Sequence, residues 1–409
     1  MYLEPPQALS RQRHQDPYSY YTWMRENAPV YREVNSSGLT VWQIFRYQDV
    51  YDALPDERLS KCPALAGAAL QSTVPAYSAD FAGLQQHLLH TDPPEHTRLR
   101  GLVNTALTPS RVAPLEPWVR QAATDLLDQM PAEGPVDLIA DFAFPLTFGV
   151  ICTILGVPEH LRGGRFRELA VGTLTPSRAD GHAVSPAESA KLIHDHVAEL
   201  IRFKRSQSPG DRTRTDLLGP LVDACMDRQA LTEAELVSTA YILLLAGHDT
   251  TVGLLGNGML ALLQHPDQRR MLTEKPAILP TAVEELLRYD SPARKATFRV
   301  AAAPLVLGGH EIPVGDVVSL AIGSANRDGA HFEHPDTLDL TRDPNDHLAF
   351  GRGTHFCIGA ALARLEGAVA FPLLLERFGE ARLAVQPAGL HWRPSQLMRG
   401  LEALPVIVD

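Results

Sequence analysis

Cysteine is scarce in this chain. The four present, Cys62, Cys152, Cys225 and Cys357, are far apart and form no C-x-x-C pair. That excludes a disulfide framework and a clustered thiolate metal site, and it fits a reducing compartment. Positive charge is also short: 37 Lys and Arg stand against 48 Asp and Glu, a net charge of −11. A nucleic-acid binder working through a global basic surface is therefore excluded, although local basic patches stay possible. No run approaches the ~18 to 20 uninterrupted apolar residues of a membrane span. The opening from Met1 to Pro17 is polar and proline-containing, without the apolar centre of a signal peptide. The expectation is a cytoplasmic protein with no membrane association.

What is present is core-forming material: 45% of the 409 residues are hydrophobic and 21% charged. The length would allow two or three average domains, yet large helical enzymes reach it as one. No internal repeat or linker divides the chain. The expected organisation is a loosely ordered N-terminal arm over 1–15 and one catalytic domain over 16–409.

Val30 to Val34 and Leu39 to Phe45 flank Asn35-Ser36-Ser37-Gly38 and read as a hairpin. A short helix from Gln48 to Leu54 follows. From Leu59 to about His90 the chain is irregular and rich in Ala, Gly, Pro and Ser, as a pocket wall often is. Asp92-Pro93-Pro94-Glu95 reads as a helix start with Asp92 as N-cap, and His96 and Arg100 share a face of that helix. Helical patterns recur over Leu115 to Met130, Ile139 to Leu155, Glu159 to Ala170 and Pro186 to Lys204, with a Gly/Ser/Pro-rich connection from Thr173 to Ser185. Thr232 to Gln264 is the longest, opened by a Thr232/Glu235 capping box. Pro280 to Tyr289 is another. Short strands then follow around Thr297 to Val300, Leu305 to Ile312 and Val317 to Ile322, an irregular meander from Asn326 to Leu348, a last helix to Phe378 and a closing strand at Leu404 to Val408. The class is mainly α with small β-sheets.

Two stretches break the ordinary logic of a core. Phe350-Gly351-Arg352-Gly353-Thr354-His355-Phe356-Cys357-Ile358-Gly359 delivers one cysteine to the start of an apolar helical pattern through Leu362, Leu365, Val369 and Leu373. Backbone N–H groups at a helix start favour a thiolate, and the glycines at 351, 353 and 359 permit positive φ and close approach of the backbone to a flat, bulky group. A metal-ligating thiolate and a merely buried cysteine both fit the loop taken alone. Ala246-Gly247-His248-Asp249-Thr250-Thr251 sets a glycine, an acid and β-branched hydroxyls at the centre of the longest helix. Gly247 removes bulk there, and Thr250 can bond back to a carbonyl and open the helix locally.

Together these stretches, with Glu285-x-x-Arg288 between them, resemble the signatures of the cytochrome P-450 superfamily, and the resemblance runs in order from about Asp16 to the C-terminus. It implies a single-domain fold with haem b (iron protoporphyrin IX) between the long central helix and the cysteine loop with the last helix. Cys357 would be the iron's thiolate ligand, with Phe350 packed near the sulfur and N–H groups around Ile358 and Gly359 tuning it. A thiolate ligand pushes electron density onto the iron and favours O–O cleavage. The resemblance further implies cofactor contacts from Gly351 and Ala246, and propionate contacts from His96, Arg100, Arg299 and His355. Thr250 would stabilise bound oxygen and Asp249 would feed it protons. His248 is read as structural, and Glu285, Arg288 and Arg342 as a structural triad under the cysteine loop.

The pocket is expected to be lined from 59–89, 169–186, 243–249, 293–298 and 395–398. One departure from the family pattern is Pro292-Ala293-Arg294-Lys295, with two cations where relatives often carry apolar or amide residues. Period-two alternation from Arg299 sends Lys295 to the haem side, where it would meet a propionate or a substrate carboxylate; a solvent-directed side chain is the plainer reading. The length leaves no stretch for an appended flavin or iron–sulfur domain, so electrons are expected from a separate ferredoxin or flavodoxin and its reductase. Arg98, Arg111, Arg352 and Arg364 are candidates for the surface that docks such a carrier. The implied function is O2-dependent hydroxylation or epoxidation of a hydrophobic small molecule such as a polyketide or macrolide, by a monomer. Alternatives on the same fold are an oxidative coupling, desaturating or peroxide-driven enzyme, and a non-catalytic haem-binding sensor or carrier.

Overall fold

A computed structural model describes residues 3–34, 38–66, 70, 83–162, 186–207, 216–226 and 230–408. The turn at 35–37, much of the 59–89 wall, the 169–185 wall with the connection from Thr173 to Ser185, and the second half of the 159–170 helix therefore lie outside the described residues.

The Glu233–Gln264 helix organises the molecule. Its 32 residues span about 48 Å at ~1.5 Å per residue. The expected capping box is present: Thr232 accepts from the Glu235 N–H at 3.2 Å, and the Glu235 carboxylate accepts from the Thr232 N–H at 2.8 Å. Such a cap contributes about 1 kcal/mol. Apolar residues face outward on every side of the helix, so it must be surrounded. Helices Phe144–Leu155, Pro186–Ser206 and Ala360–Phe378 pack around it. Two helices that the residue pattern did not reveal, Leu218–Met226 and Pro266–Glu274, complete the shell. The stretch Leu138–Leu155 is long and apolar enough to cross a membrane by composition, but it contains Asp141 and 72% of it is buried inside the fold, the behaviour of a core helix.

A smaller β layer sits beside this bundle. The hairpin forms as β1 (Val30–Val34) and β2 (Thr40–Ile44), antiparallel with Val30 opposite Ile44. With β3 (Leu59–Ser60), β4 (Arg299–Ala301) and β5 (Val317–Leu320) numbered along the chain, β5 lies parallel to β2, then come β4 and β3, giving the order β1-β2-β5-β4-β3. The 305–312 stretch divides into a two-stranded hairpin, Leu305–Leu307 with His310–Ile312. The closing strand, Pro405–Val408, sits between Gly134–Asp137 and Arg382–Leu383.

Several local expectations change. The N-terminal arm holds a helix, Gln7–Gln12, and Gln15 Nε2 donates to the Leu390 carbonyl at 2.6 Å, so the arm is tied to the C-terminal segment. Asp92 does not cap the helix after it. That helix begins at Glu95, and the Asp92 carboxylate instead accepts from Ser60 Oγ and, at 2.9 Å, from the Lys61 N–H. A tertiary partner has outcompeted the local cap.

The ExxR pair is fully buried and bonded. Arg288 donates to Glu285 through Nε at 2.7 Å and Nη2 at 2.8 Å, and its Nη1 reaches the carbonyls of Asn326 and Pro335. Arg342 adds a contact to Glu285 at 3.2 Å, and the Asp339 N–H another at 3.0 Å. A segment with no regular ladder of its own thus finds backbone partners in one buried ion pair, which fixes the meander.

Candidate functional site

The cysteine loop turns on two glycines. Gly351 has φ +68° and Gly353 φ +76°, and a Cβ on Gly353 would come within 2.8 Å of Pro55. Gly359 departs from the expectation: its φ is −88°, and a Cβ there would stand 3.9 Å from the Cys357 sulfur. The helix proper begins at Ala360, three residues beyond Cys357, and the Gly359 N–H points to the sulfur. Phe350 is buried, accepts the Cys357 N–H at 2.8 Å and lies 4.5 Å beneath the Arg364 guanidinium. Cys357 is exposed, yet protein surrounds it deeply enough that desolvation raises its thiol pKa, while the Gly359 N–H, Arg100 and Arg364 pull it down. Coordination to a metal would replace that proton outright.

The other wall is the centre of the long helix. Ala246 is exposed although most of this helix is buried, and its carbonyl accepts Thr250 Oγ1 at 3.0 Å. The back-bond expected of Thr250 is present, while the helix runs unbroken through it. Gly247 has a different role from that expected: a Cβ there would come within 2.5 Å of Ile151 Cδ1, so the glycine lets two helices touch rather than making room for a ligand. His248 is buried, its Nδ1 2.8 Å from the Leu244 carbonyl and its ring edge-on to Phe144 and Phe148, the structural part anticipated for it.

Asp249 is buried and ion-paired with Arg393, and its Oδ2 has no partner among the described residues. Arg393 carried no sequence signal. It stands 144 positions away, where its backbone N–H bonds the Gly400 carbonyl at 2.9 Å.

The expected propionate donors converge. His96 and Arg100, one turn apart, border an open cleft of about 410 Å³ together with Gly353 and Thr354. The His96 and His355 rings are 4.2 Å apart. Both His96 nitrogens and His355 Nδ1 are buried without a partner among the described residues. Burial chiefly, then Arg100, lowers the His96 pKa; burial, then Lys61, His96, Arg299 and Arg100, takes His355 to about 2. Arg299 is buried on the carbonyls of Thr297 and Leu54, and burial lowers it to about 10. Arg100 Nη2 donates to the Phe356 carbonyl at 2.8 Å.

Lys61, which the sequence reading missed, is fully buried and donates to Thr297 and Phe298. Its pKa is pushed well down by burial first and then by Arg299. Buried cations whose side chains bond carbonyls and a hydroxyl, with Asp92 the acid beside Lys61, together with imidazoles unpartnered among the described residues, suit anions from outside the chain. With the uncovered Ala246 and Cys357, these residues fit a flat, apolar, dianionic group with a metal at its centre. Among the described residues no cluster of three or more His, Cys, Asp or Glu offers an alternative metal site.

Two expected wall segments are joined: Ala293 bridges to Met398, and the Arg294 N–H bonds the Leu397 carbonyl at 2.9 Å. Lys295 does not follow Arg299 to the haem side. Regular strand begins only at Arg299, so alternation does not extend back to it, and Lys295 Nζ donates instead to Gln43 Oε1 at 3.2 Å. Two candidates for the docking face are engaged: Arg98 pairs with Glu95 and Glu235, and Arg364 with Glu284 at 2.7 Å. Arg352 stacks 3.8 Å over Tyr51, and Arg111 is exposed.

Comparison with known proteins adds its own findings. The family model "Cytochrome P450" matches residues 181–388. Cytochrome P450 107B1 of Saccharopolyspora erythraea is 44% identical over 398 residues, covering 96% of this chain and 95% of that protein. The polyketide biosynthesis cytochrome P450 PksS of Bacillus subtilis is 39% identical over 396 residues, with 96% of both chains covered. Among solved structures, the tirandamycin C-bound P450 monooxygenase TamI superposes with a TM-score of 0.87 at 41% identity, covering 97% of this chain and 98% of the other.

Proposed function

The chain belongs to the cytochrome P450 superfamily, and from that premise we propose that it hydroxylates or epoxidises a hydrophobic secondary metabolite of the polyketide or macrolide kind. As a monooxygenase of this superfamily it uses a thiolate-ligated haem, O2, a small-molecule substrate and electrons from a redox partner. The natural-product class is supported by the relatives named for polyketide biosynthesis and tirandamycin binding. Haem b, a separate ferredoxin or flavodoxin with its reductase, a monomeric state, a cytoplasmic location and the 1–15 arm with the 16–409 catalytic domain complete the proposal.

Bound haem supplies the oxidising chemistry through its thiolate-ligated iron. In the proposal Cys357 holds the metal, with Gly351, Phe350 and Gly359 shaping the loop around it. His96, Arg100, Arg299 and His355 hold the propionates, and Ala246 supplies the uncovered wall opposite. Thr250 positions a hydroxyl where oxygen is handled. Asp249, paired with Arg393, moves protons toward that hydroxyl.

The observation that carries this reading is the Thr250 hydroxyl back-bonded to Ala246 beside the buried Asp249. That constellation serves proton delivery during O2 activation and is superfluous in a carrier. The test is a ligand screen by haem absorption, followed by turnover of each hit with a surrogate ferredoxin system. An oxygenated product is expected; ligands that bind and are never oxidised would overturn it.

A further inference from the structure

The two cations of Pro292-Ala293-Arg294-Lys295 have no part in the chemistry above, and the fold brings two more basic residues beside them. Arg294 is only 6% exposed. Its Nη2 donates to the Arg13 carbonyl at 2.5 Å, and its Nη1 donates to the Ser395 carbonyl at 3.3 Å and lies 3.4 Å from His14 Nδ1. Its buried Nε has no acceptor among the described residues. Lys295, half-buried, reaches the Gln43 amide oxygen, and the Gln43 amide nitrogen is committed to Glu33 at 2.6 Å. Arg13 lies against the Tyr20 hydroxyl.

Among the described residues Arg294 meets only neutral acceptors, so its guanidinium is buried with no carboxylate bonded to it there. Burying such an ion is costly unless an anion is near. The nearby acid, Glu33, faces Lys295 across the Gln43 amide, so Arg13, Arg294 and Lys295 outnumber it. The crowding is felt on titration: burial first, then Arg294 and Arg13, brings Lys295 down to about 8, and the same causes lower His14. A buried guanidinium with a spare donor, next to an ammonium and an imidazole, is a donor set suited to carboxylate or phosphate.

We propose that Arg13, His14, Arg294 and Lys295 form a binding site for an oxyanion, a carboxylate or phosphate, at the seam between the N-terminal arm, β2 and the 293–296 segment. The site lies against the expected pocket wall, since Arg294 is bonded through its backbone to Leu397 and Gly323, and its neighbour Ala293 to Met398. Its occupant is either a free anion or the head group of a ligand whose apolar body enters the pocket. The second case rests on the proposed function; the first does not.

The test uses the haem-loaded protein and its Lys295→Gln variant, at a half-buried position, whose unchanged absorption spectrum and single cooperative melting transition in chloride establish folding. Arg294→Gln is the second variant. Inorganic phosphate is titrated by calorimetry at ionic strength matched with chloride, and decanoate is titrated against decanol by haem absorption. One expected result is saturable phosphate binding weakened about tenfold or more in Lys295→Gln, which assigns a free-anion site. The other is a decanoate shift weakened about tenfold or more while the decanol shift is unchanged, which assigns a head-group site; tenfold is the low end for losing a charge-assisted bond. Equal affinities of wild type and both variants for phosphate and for decanoate overturn the proposal. The phosphate titration reads no turnover, so its failure is separate from failure of the monooxygenase reading.

Discussion

Asp249, at the centre of the long helix, is held by Arg393 from the C-terminal segment, 144 residues away. The pair ties the acid beside Thr250 to the segment that carries Ser395 to Met398 and braces the 293–295 segment. Arg393→Gln should leave a buried carboxylate unpaired, at a cost of about 3 to 5 kcal/mol. The expected outcome is a lowered melting temperature, largely recovered in the Arg393→Gln/Asp249→Asn double variant, and less product per electron pair consumed in the single variant. A double-mutant cycle with no coupling energy would show that the pair is incidental.

Thr250 offers a hydroxyl anchored on the Ala246 carbonyl. Thr250→Ala should lower product formation by about ten- to a hundredfold, toward the lower range for positioned proton transfer, with ligand affinity by haem absorption unchanged. Thr250→Ser should retain most of the activity. Loss of affinity in step with turnover would make Thr250 a packing residue.

Gly247 separates two helices by the width of a missing methyl group. Gly247→Ala places a Cβ 2.5 Å from Ile151 Cδ1, and overpacking of this kind costs about 1 to 3 kcal/mol. Ile151→Ala, itself destabilising by removal of buried methyl groups, should make the Gly247→Ala change nearly neutral when the two are combined. Additive losses measured by denaturant unfolding would contradict the assigned role.

Lys295 gives a pH signature. Burial, with Arg294 and Arg13, lowers its folded pKa to about 8, below the unfolded value of ~10.4. Between those values the unfolded chain binds more protons, so the contribution of Lys295 to stability rises with pH. The wild-type protein should therefore gain stability relative to Lys295→Met from about pH 8 upward, with a smaller gain in saturating phosphate. A pH-independent difference would place the lysine in bulk-like solvent.

What could be read from the residues was local. The cysteine loop, the Thr232/Glu235 cap and the Glu285/Arg288 pair are each written within ten positions, and the structure forms all three. The misreadings arose where distant contacts prevailed. Asp92 has the spelling of an N-cap but answers to Ser60 and Lys61. Neither reading of Lys295 anticipates Gln43: alternation fails because the residue precedes its strand, and the plainer solvent-directed side chain is instead half-buried on that amide. Arg393 and Lys61 meet their partners only after folding, and neither sits in a pattern that marks it. The Pro266–Glu274 helix follows the central helix after a single residue, His265, so its periodicity merges with its neighbour's.

The central claim is that Cys357 is the thiolate that holds the haem iron. The direct measurement is the absorption spectrum of the reduced carbon monoxide complex of the wild-type protein and of Cys357→His. The account predicts a strongly red-shifted thiolate band in the wild type that is lost in the variant while haem is still bound. A wild-type complex without that band, or a variant that keeps it, would contradict the account.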